Sequence, residues 1–457
     1  MSGVCKGTPV ARTIIGGAAA ILLLAATASA QTSTSTGQVT FTKDVAPLLQ
    51  RSCVTCHRAG EMAPMSLMTY EDARPWARAI KARTASHEMP PFHIDKSIGI
   101  TSFKNDPSLT DEEIATIGRW VDAGAPRGNP ADMPPLRKFD DAGTWQFTPD
   151  IVVKFPAYKV PAAGPDLYGN LYADIPIAND RYIQAIQTRA ATAGSRKVVH
   201  HALTYAVDEP DKDVSGDDSL GVEGGDFLVE YASGKNAEVY TGDSGVLLKA
   251  GKKAMVSYHL HSIGEETDAY IEVAMKLHPE GYVPKHIRWS KQLAQATSEI
   301  DIPGGSIARI DGYVVMHKAA RILSFQPHMH IRGKRQCLEL IYPTGGSSAK
   351  TEMISCTNFS YNWHLNYTYT DDVAPLIPAG TVLHVITWHD NSQANMANPD
   401  PKNWVGDGQR TIDEMGFAWI GWYDMTDDEY KAELEARKAE RAKKATTTQQ
   451  QQQQQQQ

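Results

Sequence analysis

Apolar positions follow two rhythms along this chain, and the change falls near residue 150. Before it the spacing is helical. Phe41 to Leu49 reads as a short helix, and Ile114, Ile117, Trp120 and Val121 form one apolar face that Thr110 and Glu113 open as a capping box and Gly124 closes. The stretch from Pro126 to Pro135 reads as a linker because Pro and Gly interrupt both rhythms. From about Ile151 short alternating runs take over, among them Arg181 to Ile186, Val198 to Tyr205 and Tyr270 to Met275, divided by Gly, Pro and Asp. That texture predicts β-sandwiches. Beyond Asp424 a charged helix is expected, with Glu433 and Arg437, then Glu440 and Lys444, four residues apart. The Thr and Gln tract from Thr446 is low in complexity and is assigned no packed structure.

The expected fold class is therefore a multi-domain chain: a small all-α unit over residues 31–135, then two all-β sandwiches of jelly-roll type over 136–290 and 291–425, and a charged tail over 426–457. The break between the sandwiches is placed near Trp289 to Ser298. Residues 1–30 read as a secretory signal peptide: Lys6 and Arg12 precede an apolar run from Ile14 to Ala26, and Ala28-Ser29-Ala30 fits a cleavage site. A retained anchor is the alternative, although the run is short for a membrane span. The expected location is periplasmic or secreted. A net charge of −8 without a basic patch argues against nucleic acid as a partner. Outside the leader and one close pair, Cys337 and Cys356 remain, and in an exported chain they are expected to form a disulfide across a hairpin.

The close pair is Cys53-Val54-Thr55-Cys56-His57, the attachment pattern of a c-type haem. Two thioether bonds would hold the porphyrin, and His57 would be the proximal iron ligand. No second Cys pair follows to complete a zinc site. For the sixth ligand Met89 is expected, because Pro90 and Pro91 stiffen the segment that carries it; His87 and His93 are the imidazole alternatives.

Histidines concentrate in the β region as His200-His201, His259-Leu260-His261 and His328-Met329-His330. Residues two apart share a strand face, so His328 and His330 can close on one ion. Adjacent His200 and His201 cannot do so on a regular strand; they need a bulge or different ring nitrogens. His259 or His261 would add a third imidazole. Such a donor set suits zinc and copper alike. The haem pattern favours a redox metal, and the soft sulfur of Met415 would favour copper(I).

Val199-His200-His201, Tyr258-His259, Pro327-His328-Met329-His330 with Gly333-Lys334, and Asp413-Glu414-Met415 resemble, in order and spacing, the ligand motifs of the ascorbate-dependent copper type II monooxygenases, the peptidylglycine α-hydroxylating and dopamine β-monooxygenase family. The resemblance covers roughly two-thirds of the chain. It implies tandem sandwiches, each with one mononuclear copper, facing each other across a solvent-filled cleft. His200, His201 and His259 would hold an electron-transfer copper, and His328, His330 and Met415 the copper where O2 and substrate meet. The expected activity is hydroxylation of a C–H bond. An external periplasmic donor would supply electrons through the haem. The peptide-amidating members carry an Arg two residues before His-x-His, and an Asn and a Tyr after the Met, to anchor a carboxylate. Here Gln326, Phe417 and Trp419 stand there, so a small apolar substrate is expected, with Phe417 and Trp419 as pocket wall or simply as core. A non-catalytic haem and copper carrier, and a zinc hydrolase on His200, His201 and His259, are the rivals.

Overall fold

A computed structural model describes residues 37–61, 63–139, 145–208, 226–232, 235–294, 300–343, 350–408 and 410–455, with 445–455 as backbone alone. The expected signal peptide lies outside the described residues. β-strands dominate, and the helices are few and short apart from the last.

Three sheets build the body. One has ten strands, and its main path runs Ile151–Lys154, Ile271–Leu277, Arg181–Ala190, Ser244–Leu248, His286–Leu293, Phe417–Met425, Ala319–His328, Tyr367–Thr368. Two sheets of four strands each belong to different halves of the chain: Leu167–Asp174, Lys253–Leu260, Val199–Val207 and Asp226–Ala232 in the first, and Ile307–Met316, Thr381–Asp390, Gly333–Tyr342 and Lys350–Asn358 in the second. The first half encloses a core including Ile183, Ile186, Val199, Leu228, Val256 and Met275. The second encloses another, with Ile322, Phe325, Leu338, Leu383 and Ile420. Burial of such aliphatic surface is what holds the layers together.

The expected break at 290/291 falls inside a strand. His286–Leu293 runs parallel to Ser244–Leu248 of the first half and antiparallel to Phe417–Met425 of the second, so one continuous sheet serves both cores. Backbone hydrogen bonds on both edges leave no room for a linker there.

Among the helices, Ala46–Ser52 and Asp111–Asp122 meet around Phe41, Leu49, Ile117 and Trp120, all fully buried. Thr110 and Glu113 satisfy each other's backbone as a capping box. The segment from Pro126 departs from a free linker at its start: the carbonyls of Pro126 and Arg127 accept the N–H groups of Phe41 and Thr42, both at 3.0 Å. Nor is the helical part self-contained. Ile94 and Phe103 leave it to join the second β core, and Asp95 and Ile100 donate backbone hydrogen bonds to Cys356 and Ile354. Cys337 and Cys356 face each other on neighbouring strands and are joined by a disulfide. At the C-terminus the helix Asp427–Gln455 continues through the Gln tract as backbone.

Candidate functional site

Strand Val199–Val207 pairs with Lys253–Leu260, and the register shifts between Val199 and His201. This irregularity puts both His200 and His201 beside His259, which a regular pleat would prevent. The ring centroids lie 5.3, 4.8 and 4.9 Å apart, and one ligand atom from each ring lies within 4.8 Å of the others. Two imidazoles on one ion, with metal–nitrogen bonds of about 2.0 Å, stand roughly 4.5–5.5 Å apart between centroids, so the triplet fits one metal. His261 lies outside this triplet, 6.3 Å from His200.

Burial disfavours the charged form of all three rings; it lowers His200 to about 4, and on His259 the nearby Asp166 carboxylate works against it. Neutral rings keep a lone pair for a metal. His259 donates from Nε2 to Asp166 Oδ2 at 2.9 Å and stacks on Tyr168, while its Nδ1 is buried without a partner. Such a carboxylate fixes the tautomer and orients the free nitrogen.

The second cluster begins where strand Ala319–His328 ends. His328 and His330 have ring centroids 5.6 Å apart. His328 stacks on Phe417, its partner across the strands, at 4.5 Å, and its Nδ1 is buried without a partner. His330 donates from Nδ1 to the Asp413 carbonyl at 3.1 Å, and its backbone N–H reaches Glu414 at 3.0 Å. Glu414 also takes the N–H of Arg332 at 2.7 Å and is fully buried, which raises its carboxyl to about 8. These contacts bring the Asp413-Glu414-Met415 turn against His330. Met415 is buried with Phe417 and Trp419, and its carbonyl accepts from His389 Nε2 at 3.1 Å. Gln326 spends its amide on the buried Glu230 of the opposite half, and Trp419 stacks on Phe227 at 4.2 Å.

Side chains from both halves meet between the clusters, where the resemblance implied a solvent-filled cleft. Tyr168 and Tyr361 share the Thr411 hydroxyl at 3.1 Å each, and Tyr361 stacks on His200 at 5.4 Å. His364 lies there too, 4.9 Å from His328 and 6.0 Å from His201. His364, Asp166 and His389 stand at no recognisable ligand spacing in the sequence.

In the Cys53-Val54-Thr55-Cys56-His57 segment Cys53 and Cys56 are both free, and a tight turn brings the N–H groups of Cys56 and His57 to the Cys53 carbonyl. Burial pushes the Cys53 thiol up to about 12 and raises Cys56 as well, unlike the depressed thiols of reactive dithiol sites. His57 donates from Nδ1 to the Met65 carbonyl at 3.3 Å, which leaves Nε2 for an iron. A cavity of about 1550 Å³ is lined by Cys56 and Arg58 and also by Phe227 and Trp419. Met89 follows the helix Ala77–Ala85, with its N–H on the Arg83 carbonyl, whereas Met65 and Met68 pack on the helical core.

No family model and no curated protein matches the chain. Solved structures that it matches include an allantoicase, at 10% identity over 49% of this chain and 77% of that one, with a TM-score of 0.15. The tandem CBM22 domains of Xyn10C from Paenibacillus barcinonensis match at 11% identity over 60% and 91%, with a TM-score of 0.16. The VP2 subviral particle of infectious bursal disease virus matches at 11% identity over 65% and 76%, with a TM-score of 0.19. At these scores the likenesses carry no argument about what this chain does.

Proposed function

We propose that the chain is an exported copper-dependent monooxygenase that hydroxylates a C–H bond of a small apolar molecule, with electrons supplied through a covalently attached c-type haem. The observation that carries this reading is the pair of histidine clusters, one from each β half, in a chain that also holds the unpaired Cys53 and Cys56 beside His57.

The donors suit copper. They are neutral, largely buried imidazoles without a carboxylate among the close ligand atoms, so hard cations are poorly served. His200, His201 and His259 would hold one ion, and His328, His330 and Met415 the other. When bound, two reduced copper ions store the two electrons that insertion of one oxygen atom from O2 consumes, and the haem would replenish them.

The protein's own groups shape the rest of the chemistry. Asp166 holds His259 in the tautomer that frees Nδ1, and the Asp413 carbonyl does the equivalent for His330, freeing Nε2. Phe417 and Trp419 exclude water beside His328. Gln326 is committed to Glu230, so the wall offers a substrate apolar surface with no carboxylate anchor. That favours an uncharged substrate over a peptide terminus.

Metal analysis with isotopically labelled O2 tests the reading. Two coppers and one haem iron per chain, with label appearing in a hydroxylated product, are expected. A single zinc would replace it with a hydrolase, and copper without substrate-dependent oxygen uptake would leave an electron carrier.

A further inference from the structure

Glu230 and Gln326 come from different halves of the chain, and both are buried. The Gln326 amide donates to Glu230 Oε2. Burial raises the Glu230 carboxyl from its ordinary value, with Lys235 and this hydrogen bond working against it. A carboxyl and an amide are a poor glue between two apolar faces, since replacing both by apolar groups of the same shape is often neutral or stabilising. What such a pair adds is geometry: its hydrogen bond is satisfied in one alignment of the faces and lost in neighbouring ones.

Strand register shows what that alignment carries. In the second half Gln326 and His328 share a strand face and lie opposite Trp419 and Phe417. In the first half Glu230 lies opposite Leu203, which is two residues after His201 on its strand and so shares its face. A register shift between Thr204 and Tyr205 then turns Phe227 to the side of Glu230. Phe227 stacks on Trp419 at 4.2 Å, and Leu203 and Phe227 both pack on the group formed by Met415, Phe417 and Trp419. The two faces that meet are therefore the ones that carry His201 and His328.

Resting on the copper reading above, we propose that Glu230 is a positioning residue: through Gln326 it fixes the alignment of the two halves, and with it the spacing between the ion of His200, His201 and His259 and the ion of His328, His330 and Met415. The apolar contacts beside the pair hold the faces together, and the hydrogen bond selects how they sit.

The test compares the full-length haem-loaded protein, with both coppers cupric, with Glu230→Leu, Gln326→Leu and Glu230→Gln. The last keeps a side-chain oxygen to accept the Gln326 amide. Metal analysis checks that each protein holds two coppers, and the dipolar coupling between them is read in the copper EPR signal, away from the ferric haem resonance. The wild type should show one narrow coupling. In both Leu variants it is expected to broaden at unchanged copper content, which a loss of stability alone would not produce, while Glu230→Gln keeps the wild-type width. Each Leu variant decides the question on its own. Wild-type width in a Leu variant would leave the Phe227 and Trp419 stack to set the spacing, and Glu230→Gln as broad as Glu230→Leu would show that the hydrogen bond is not the cause. Either result overturns the inference with the copper reading intact. Failure of the wild-type protein to bind two coppers would overturn both.

Discussion

Asp166 governs how His259 can act. A carboxylate 2.9 Å from Nε2 holds the proton on that nitrogen, so the lone pair sits on Nδ1, the atom buried beside His200 and His201. Asp166→Ala is expected to weaken the first copper by about 10- to 100-fold, the usual effect of removing such a partner, while the second copper stays. Chelator competition measures it, and equal affinities would show that the stacked Tyr168 alone orients the ring. The residue pair also marks where reading the sequence stops. His200-His201 and His328-x-His330 declare themselves by local spacing, but Asp166 stands 93 positions from His259 and reaches it only because Leu167–Asp174 pairs with Lys253–Leu260. His364 is equally silent, since a lone histidine in a turn has no pattern to betray it.

At the scale of elements, local rules were legible and long-range pairing was not. The helix Asp111–Asp122 begins where the Thr110 and Glu113 pattern places it, and the same glutamate bridges to Arg51 at 2.7 Å, 62 residues away. The Arg51 hydrogen bond is the main cause that holds the Glu113 carboxyl down to about 2. Its folded value lies below the unfolded one, so the contribution is present above the ordinary glutamate range and is lost as pH falls toward 2. Glu113→Gln keeps a side-chain acceptor for the Thr110 N–H but loses the ion pair, and should therefore lower protection of the Asp111–Asp122 amides at neutral pH by about 0.5–1 kcal/mol. The difference from wild type should vanish at the acid end, and hydrogen exchange at several pH values reads both. By contrast, His286–Leu293 carries Arg288, Ser290, Lys291 and Gln292 and buries no residue fully, so its composition looks like a boundary. Only its two strand neighbours show that it is the seam of the long sheet. The bulge at His200 belongs between these cases: the adjacent histidines called for an irregularity or for different ring nitrogens, and the register supplies the first.

Across the whole molecule, the arrangement bears on how electrons would reach the copper. The proposed wiring enters at His200, His201 and His259. From the cavity beside Cys56, however, a run of rings leads elsewhere: Phe227 and Trp419 are among the residues that line it, Trp419 meets Phe417 at 5.9 Å, and Phe417 stacks on His328 at 4.5 Å. Contact through packed rings shortens the gaps that an electron must cross, and attachment in one chain keeps donor and acceptor at high effective concentration. If this run is the route, rapid mixing of the fully reduced protein with O2 and substrate should bleach the reduced haem band in step with product, and Trp419→Leu should slow that bleaching while copper content stays at the wild-type level. Should Trp419→Leu leave the haem trace unchanged, electrons enter at the His200 cluster as first wired. A haem that stays reduced through turnover in the wild-type protein would disconnect the two halves of the proposal altogether, leaving the copper centre to draw on a separate reductant.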